Sequence, residues 1–284
     1  MMNLSAIRLT LITYKQCDQI MFNVTPIPII EDNYAWLVQH QGQTLIVDPG
    51  EAAPVIAYLQ KHNLKLDYMF VTHKHWDHIS GITEVKAAFP ECIIYGTGHH
   101  PIPCREIALM GGETLEVMGL SWKVWHTPGH TLDHIVFYTE AILSNDNGIK
   151  TGHLFSGDNL FACGCGRMFE GTAEQFEASL ASLVELPANT KIYCTHEYTL
   201  ANINFALHIE PNNTYTLHRQ DVCSQLREQG LPTVPTTVAD ELKSNPFVRL
   251  DQPDVIRAAE HFSGRVLAKK SEVFAVIRGI KDNF

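Results

Sequence analysis

Apolar positions along this chain come in short runs cut by Gly, Pro, Asn and Asp, and the spacing of the runs defines three stretches. In the first, Asn23 to Ile30 and then Tyr34 to Val47, around a Gln41-Gly42 turn, read as strands. Leu45-Ile46-Val47 runs into Asp48-Pro49-Gly50, a buried strand stopped by a turn. A helical pattern over Ala53 to His62 follows, then the apolar strand Tyr68 to Val71, a helix over Ile82 to Phe89 and a strand from Cys92 to Tyr95. Strands alternating with helices predict an α/β layer fold. The middle stretch is richer in strands: Thr114 to Val117, Leu120 to Trp125, Ile135 to Thr139 and His153 to Ser156, with a polar turn at Ser144 to Gly148. Thr172 with Gln175 three residues on forms a capping box. It opens a helix with Phe176, Leu180, Leu183 and Val184 on one face, ended by Pro187, and the strand Lys191 to Thr195 follows. Beyond Tyr198 the periodicity is helical: Leu200 to His208, Thr214 to Glu228, Val255 to His261 and Ser271 to Ile280, with a Pro-rich connection at Leu231 to Pro235. The division expected is an N-terminal extension at 1–20, an α/β domain over 21–197 and a helical domain over 198–284.

Composition narrows the class. The 284 residues exceed the usual single core, which fits a large domain with a smaller appendage. No apolar run reaches the roughly 18 residues that span a bilayer. The stretch Ile7 to Thr13 is broken by Arg8 and Thr10, with no small-residue cleavage site, so it does not read as a signal peptide. Seven cysteines, an odd number, fit reduced thiols in a cytoplasmic protein. Cys163 and Cys165 lack the Cys-x-x-Cys spacing and read as small residues in a Gly-rich loop. A net charge of −10 argues against a nucleic-acid partner. That charge is uneven: residues 1–240 carry 13 basic against 25 acidic side chains, and residues 241–284 carry 8 against 6. The tail is either a solvated helical face or an anion-binding surface.

Thr72-His73-Lys74-His75-Trp76-Asp77-His78 changes the picture more than any bulk number. It places four metal-type ligands, His73, His75, Asp77 and His78, directly after a buried strand, where ligands collect in open α/β folds. In an extended loop His73 and His75 share a face. Adjacent Asp77 and His78 would then diverge, which favours two ions over one. His130, Asp158 and His196 each follow a strand in the same way, after Leu120 to Trp125, His153 to Ser156 and Lys191 to Thr195. The remaining histidines, including His99, His100 and His126, lack that context; His134 is a candidate for supporting a ligand from behind.

His-x-His-x-Asp-His with these later ligands resembles the metallo-β-lactamase superfamily, and within it the glyoxalase II (hydroxyacylglutathione hydrolase) family. The likeness also rests on His126-Thr127-Pro128-Gly129-His130, Ser156-Gly157-Asp158-Asn159-Leu160-Phe161, Thr195-His196-Glu197-Tyr198-Thr199 and Asn245-Pro246-Phe247-Val248-Arg249, and covers about residues 21 to 284. The resemblance implies an αββα sandwich with a C-terminal helical domain. It implies one metal on His73, His75 and His130, a second on Asp77, His78 and His196, and Asp158 bridging them. The ions would be divalent, zinc first, with iron or manganese as alternatives. Glutathione contacts would fall on Arg167, Tyr198, Arg278 and Lys281, and the two in the basic tail favour its anion-binding reading. The implied reaction is hydrolysis of S-D-lactoylglutathione to glutathione and D-lactate, in methylglyoxal detoxification, by a monomer without membrane or nucleic-acid partners. A water shared by the ions would reach a pKa of roughly 7, with Asp77 orienting it. The leaving thiolate, of pKa about 8.5, needs no strong acid.

Three positions depart from the family pattern: Arg167 stands where Lys is usual, Phe169 where some members have Tyr, and Asp133 where Gly is common. None is a metal ligand. Among rivals, a β-lactamase of this superfamily commonly has a Cys at the second site, and a persulfide dioxygenase lacks the full second set. A nuclease conflicts with the charge, and a non-catalytic module would need none of these ligands.

Overall fold

The structure, a computed structural model, describes residues 22–143 and 148–284. The expected extension at 1–20 and most of the polar turn at 144–148 lie outside the described residues. The chain begins with strands β1 (Asn23–Ile29), β2 (Asn33–His40) and β3 (Gln43–Val47), then helix α1 (Ala52–Lys61) and strand β4 (Tyr68–Val71). Two short helices, α2 (Trp76–Ile79) and α3 (Ile82–Ala88), precede β5 (Ile93–Thr97) and β6 (Ile107–Leu109). These six strands form one sheet in chain order, antiparallel from β1 to β3 and parallel from β3 to β6.

The second half supplies β7 (Thr114–Val117), β8 (Leu120–His126), β9 (Ile135–Ile142), β10 (Lys150–Gly157), the hairpin β11 (Leu160–Phe161) and β12 (Gly164–Cys165), α4 (Ala173–Val184) and β13 (Lys191–Cys194). After it come α5 (Thr199–Ile209), α6 (Thr214–Glu228), β14 (Thr236–Thr237), α7 (Val238–Ser244), α8 (Pro253–Ser263) and α9 (Lys270–Lys281). The second sheet runs β14-β13-β10-β9-β8-β7. Its strands are antiparallel except for β10 beside β13.

Strand alternation decides the layers. In β4, Phe70 points into the space between the sheets, while Met69 and Val71 point toward α1 and α3. In β9, Ile135 and Phe137 face the first sheet, and Val136 and Tyr138 face the helices on the far side. Both sheets are therefore covered on both faces, which is why their strands read as continuous apolar runs. Phe70, Trp122, Phe137 and Phe155 fill the centre, and each such side chain contributes roughly 1.5–3 kcal/mol by leaving water. The result is the αββα sandwich.

The C-terminal helices do not close around a separate core. Phe205, Phe247, Phe274 and Ile277 join Phe176 and Leu180 of α4 against Leu154 and Ile192 of the second sheet. The expected capping box at Thr172 and Gln175 is present. Six of these elements were not expected: α2, β6, β11, β12, β14 and α7. All are short and held by neighbours rather than by their own pattern; β14, for example, is the edge strand beside β13. The locally basic tail is not an open cationic face. Arg249, Arg257, Arg265, Lys270 and Arg278 lie against Glu210, Asp254, Glu272, Asp251 and Asp282. The six cysteines among the described residues are free, and five are buried. Among the same residues no helix is long and apolar enough to cross a membrane.

Candidate metal centre

Each predicted ligand sits just past the end of a core strand, and the sandwich brings those ends together. His73, His75, Asp77 and His78 follow β4, His130 follows β8, Asp158 follows β10 and His196 follows β13. Their ligand atoms form two groups, His73/His75/His130/Asp158 and Asp77/His78/Asp158/His196, each within 4.8 Å. One expectation is corrected here. Asp77 and His78 do not diverge, because α2 curls the chain and brings His78 Nε2 to 3.8 Å from Asp77 Oδ2. The split into two groups falls between His75 and Asp77 instead.

Hydrogen bonds behind the ligands select which nitrogen is free. His130 Nδ1 donates to the Arg167 carbonyl at 2.8 Å, which leaves its Nε2 as a lone pair. His78 Nδ1 is bound to Asp48 at 3.0 Å, and His196 Nδ1 to Asp32 at 3.0 Å. His73 Nδ1 meets Thr72 Oγ1 at 3.0 Å, and Thr72 in turn donates to Asp48. Every such partner leaves Nε2 pointing inward. His134, the candidate support, accepts the Asp158 backbone N–H at 3.1 Å. Sequence reading missed Asp32, Asn33 and Asp48. Asp48 carried a signal, since it too follows an apolar strand. Asp32 lies in a polar turn and Asn33 opens β2, both far along the chain from their partners, and nothing in the sequence marks them.

The donor set fits two divalent ions. Around an ion with bonds of about 2.0–2.1 Å, tetrahedral ligand atoms stand roughly 3.3 Å apart. Here Asp158 Oδ2 is 3.5 Å from His130 Nε2 and 3.3 Å from His196 Nε2, and Asp158 Oδ1 is 3.4 Å from His78 Nε2. His75 Nδ1 stands 3.1 Å from His73 Nε2 and 2.9 Å from His130 Nε2. His78 Nε2 and Asp158 Oδ1 are both buried without a hydrogen-bond partner, a costly arrangement that a cation between them would relieve.

Electrostatics divide the groups in the same way. Burial holds His73 well below the usual histidine range and lowers His130 to about 4, so both offer neutral imidazoles. Burial also opposes protonation of His78 and His196, but nearby carboxylates win. Asp158 and Asp48 raise His78 to about 10, and Asp158, Asp77 and Asp32 raise His196 to about 11. Burial likewise resists charge on Asp77, yet His196 and His78 lower it to about 2. The second group thus concentrates negative charge, which favours a cation there and which a metal ion can balance.

A cavity of about 450 Å³ opens above the ligands. Trp76, Phe161, Phe169, Arg167 and Tyr198 complete its wall. Tyr198 stacks on His196 with ring centroids 4.5 Å apart, and the Arg167 guanidinium lies 5.6 Å from the centre of the Phe169 ring. Of the expected substrate contacts, Arg167 and Tyr198 are on this wall, whereas Arg278 and Lys281 are not among its lining residues. Arg278 is buried, and the Lys281 ammonium donates to Asn202 Oδ1 at 2.7 Å.

The floor depends on one close approach. A Cβ on Gly166 would fall 2.0 Å from the Asp158 carbonyl oxygen and 2.8 Å from His130 Nδ1. Gly166→Ala is therefore expected to lower metal affinity about tenfold or more, measured by chelator competition. Wild-type affinity in that variant would contradict the packing.

Two family models match the chain, one after the other. Residues 31–196 match the metallo-beta-lactamase superfamily, and residues 197–284 match the C-terminus of hydroxyacylglutathione hydrolase. Among solved structures, the metallo-beta-lactamase from Staphylococcus aureus subsp. aureus COL shares the fold at TM-score 0.60 and 20% identity, over 92% of this chain and 72% of that one. Fold and site together make this chain a member of the metallo-beta-lactamase superfamily. The chain is 43% identical over 267 residues to the hydroxyacylglutathione hydrolase of Pseudomonas aeruginosa strain LESB58, covering 93% of this chain and 100% of that relative. It is 41% identical over 266 residues to that of Tolumonas auensis, again over 93% and 100%. Within the superfamily it belongs to the hydroxyacylglutathione hydrolase family.

Proposed function

We propose that the protein hydrolyses S-(2-hydroxyacyl)glutathione, S-D-lactoylglutathione foremost, to glutathione and the 2-hydroxy acid. In this reading it is a cytoplasmic monomer that acts on a small molecule in methylglyoxal detoxification. The observation that carries it is Asp158, shared by both ligand groups at the floor of a cavity with apolar, aromatic and cationic walls. His73, His75 and His130 would hold one ion and Asp77, His78 and His196 the other, zinc before iron or manganese. Two divalent ions there would supply a water of pKa lowered from about 15.7 toward 7, and positive charge for the carbonyl oxygen.

The chain's own residues do the rest. Asn33 Nδ2 donates to Asp77 Oδ2 at 3.1 Å and fixes the carboxylate at the cavity floor, where it accepts a hydrogen bond from the attacking water. The thioester C–S bond breaks, and the thiolate leaves without needing a strong acid. Tyr198 keeps its proton, because burial and then Asp32 push its pKa up, so its hydroxyl is a donor for the substrate. The Arg167 guanidinium, on the cavity wall, suits a glutathione carboxylate.

Lys281 completes the glutathione end. Burial and then Arg278 lower its pKa to about 8, so the free enzyme holds the ammonium below that pH and loses it above. For an anionic substrate, kcat/KM is expected to fall as pH rises through about 8. Lys281→Ala should abolish that limb and raise KM much more than it lowers kcat. A pH profile unchanged in the variant, or equal losses in kcat and kcat/KM, would remove Lys281 from substrate binding. The reaction itself is tested by assaying metal-replete protein on S-D-lactoylglutathione and, separately, following oxygen uptake with glutathione persulfide. Thioester loss without oxygen uptake is expected, and the reverse would replace hydrolysis by dioxygenation.

A further inference from the structure

The backbone between Asp158 and Arg167 is gripped from the C-terminal side at almost every residue of the β11–β12 hairpin. Asn202 of α5 donates to the Ala162 carbonyl at 3.0 Å, and Asn245 donates to those of Gly164 at 2.8 Å and Phe161 at 3.4 Å. Glu241 of α7 accepts the Cys163 N–H at 2.8 Å. Arg278 of α9 closes the grip: its Nη1 donates to the carbonyls of Cys165 at 3.1 Å and Gly166 at 3.2 Å. These groups are buried, so each carbonyl depends on its donor.

Both ends of the gripped segment touch the metal centre. Asp158 is the ligand common to the two groups. At the other end the Arg167 carbonyl holds His130 Nδ1, and Gly166 N–H returns to the Asn159 carbonyl at 3.2 Å. Arg278 itself is 4% exposed, with its second Nη on Asp282 at 3.1 Å and its guanidinium 5.2 Å from the centre of the Phe247 ring.

We infer that Arg278 is a positioning residue for the metal centre: it pins the Cys165 and Gly166 carbonyls, and through them the Arg167 carbonyl that orients His130. This differs from the direct glutathione contact that family resemblance implies for it, and it rests on the two-metal reading of the site. One guanidinium presents several donors in a rigid fork and can serve two carbonyls and a carboxylate together, which a lysine ammonium on a flexible stem cannot reproduce. Charge alone is therefore not the property that matters at this position.

The test compares wild type, Arg278→Met, Arg278→Lys and Val255→Ala by zinc competition against a chromophoric chelator, alongside urea midpoints and steady-state kinetics. Val255 is buried in the same helical layer, so its truncation reports simple destabilisation. Wild type should take up two ions; failure to do so would remove the two-metal reading itself. Given two ions in wild type, both Arg278 variants should bind zinc about tenfold more weakly. Val255→Ala should lose urea resistance and keep its zinc affinity. Wild-type zinc affinity in Arg278→Lys, with or without a rise in KM, would overturn the inference, as would equal weakening in Val255→Ala. If Arg278→Met does not fold, Arg278→Lys decides.

Discussion

Asp158→Asn is expected to bind fewer than two metal ions and to lose thioester hydrolysis by roughly 10³-fold, a loss of the size that follows removal of transition-state electrostatics. The substitution keeps the volume and removes the charge. Both oxygens of Asp158 are in use: Oδ2 stands between His130 and His196, and Oδ1 faces His78. An amide offers one acceptor oxygen and a donor nitrogen, which is the wrong chemistry beside a cation. Metal content of the purified variant and its rate on S-D-lactoylglutathione check the expectation together. Two ions per chain with turnover within tenfold of wild type would mean that Asp158 is not the shared ligand.

Glu241→Ala should cost about 3–5 kcal/mol of stability in urea unfolding, the penalty for stripping the partner from a buried ion. Glu241 is fully buried and accepts from Arg219 at 2.9 Å, Asn245 at 2.9 Å and Thr236 at 2.6 Å, besides the Cys163 N–H. Its loss strands the Arg219 guanidinium between α6 and α7. The exposed pair Arg257–Asp254 provides the contrast: Asp254→Ala should change stability by less than about 1 kcal/mol. Equal costs at the two sites would contradict the account of how the C-terminal helices are docked.

The two-faced strands explain why so much of the sandwich is legible in the sequence. Tyr68 to Val71 and Ile135 to Tyr138 are apolar without interruption because residues on alternate faces meet different layers. Thr172 and Gln175 mark a helix start by local chemistry alone, and they do so correctly. What escapes is fixed by tertiary contact. α2 is a single turn that no periodicity can reveal, and missing it reverses the relation of Asp77 to His78. Thr236–Thr237 is a strand only because Lys191 and Ile192 lie beside it. The seven ligand candidates are visible because each follows a core strand, whereas Asp32 reaches His196 across most of the domain with no local pattern to announce it. Arg278 shows the limit of charge counting: its place in a basic tail suggests an exposed anion contact, and its side chain is buried against backbone carbonyls.

The most direct test of the two-metal thioesterase account is a metal add-back titration. Protein stripped with chelator is titrated with zinc while loss of S-D-lactoylglutathione is followed. Hydrolysis should be absent in stripped protein, rise with added zinc and saturate at two equivalents per chain. Full hydrolysis without metal, saturation at one equivalent, or no hydrolysis at two would contradict it.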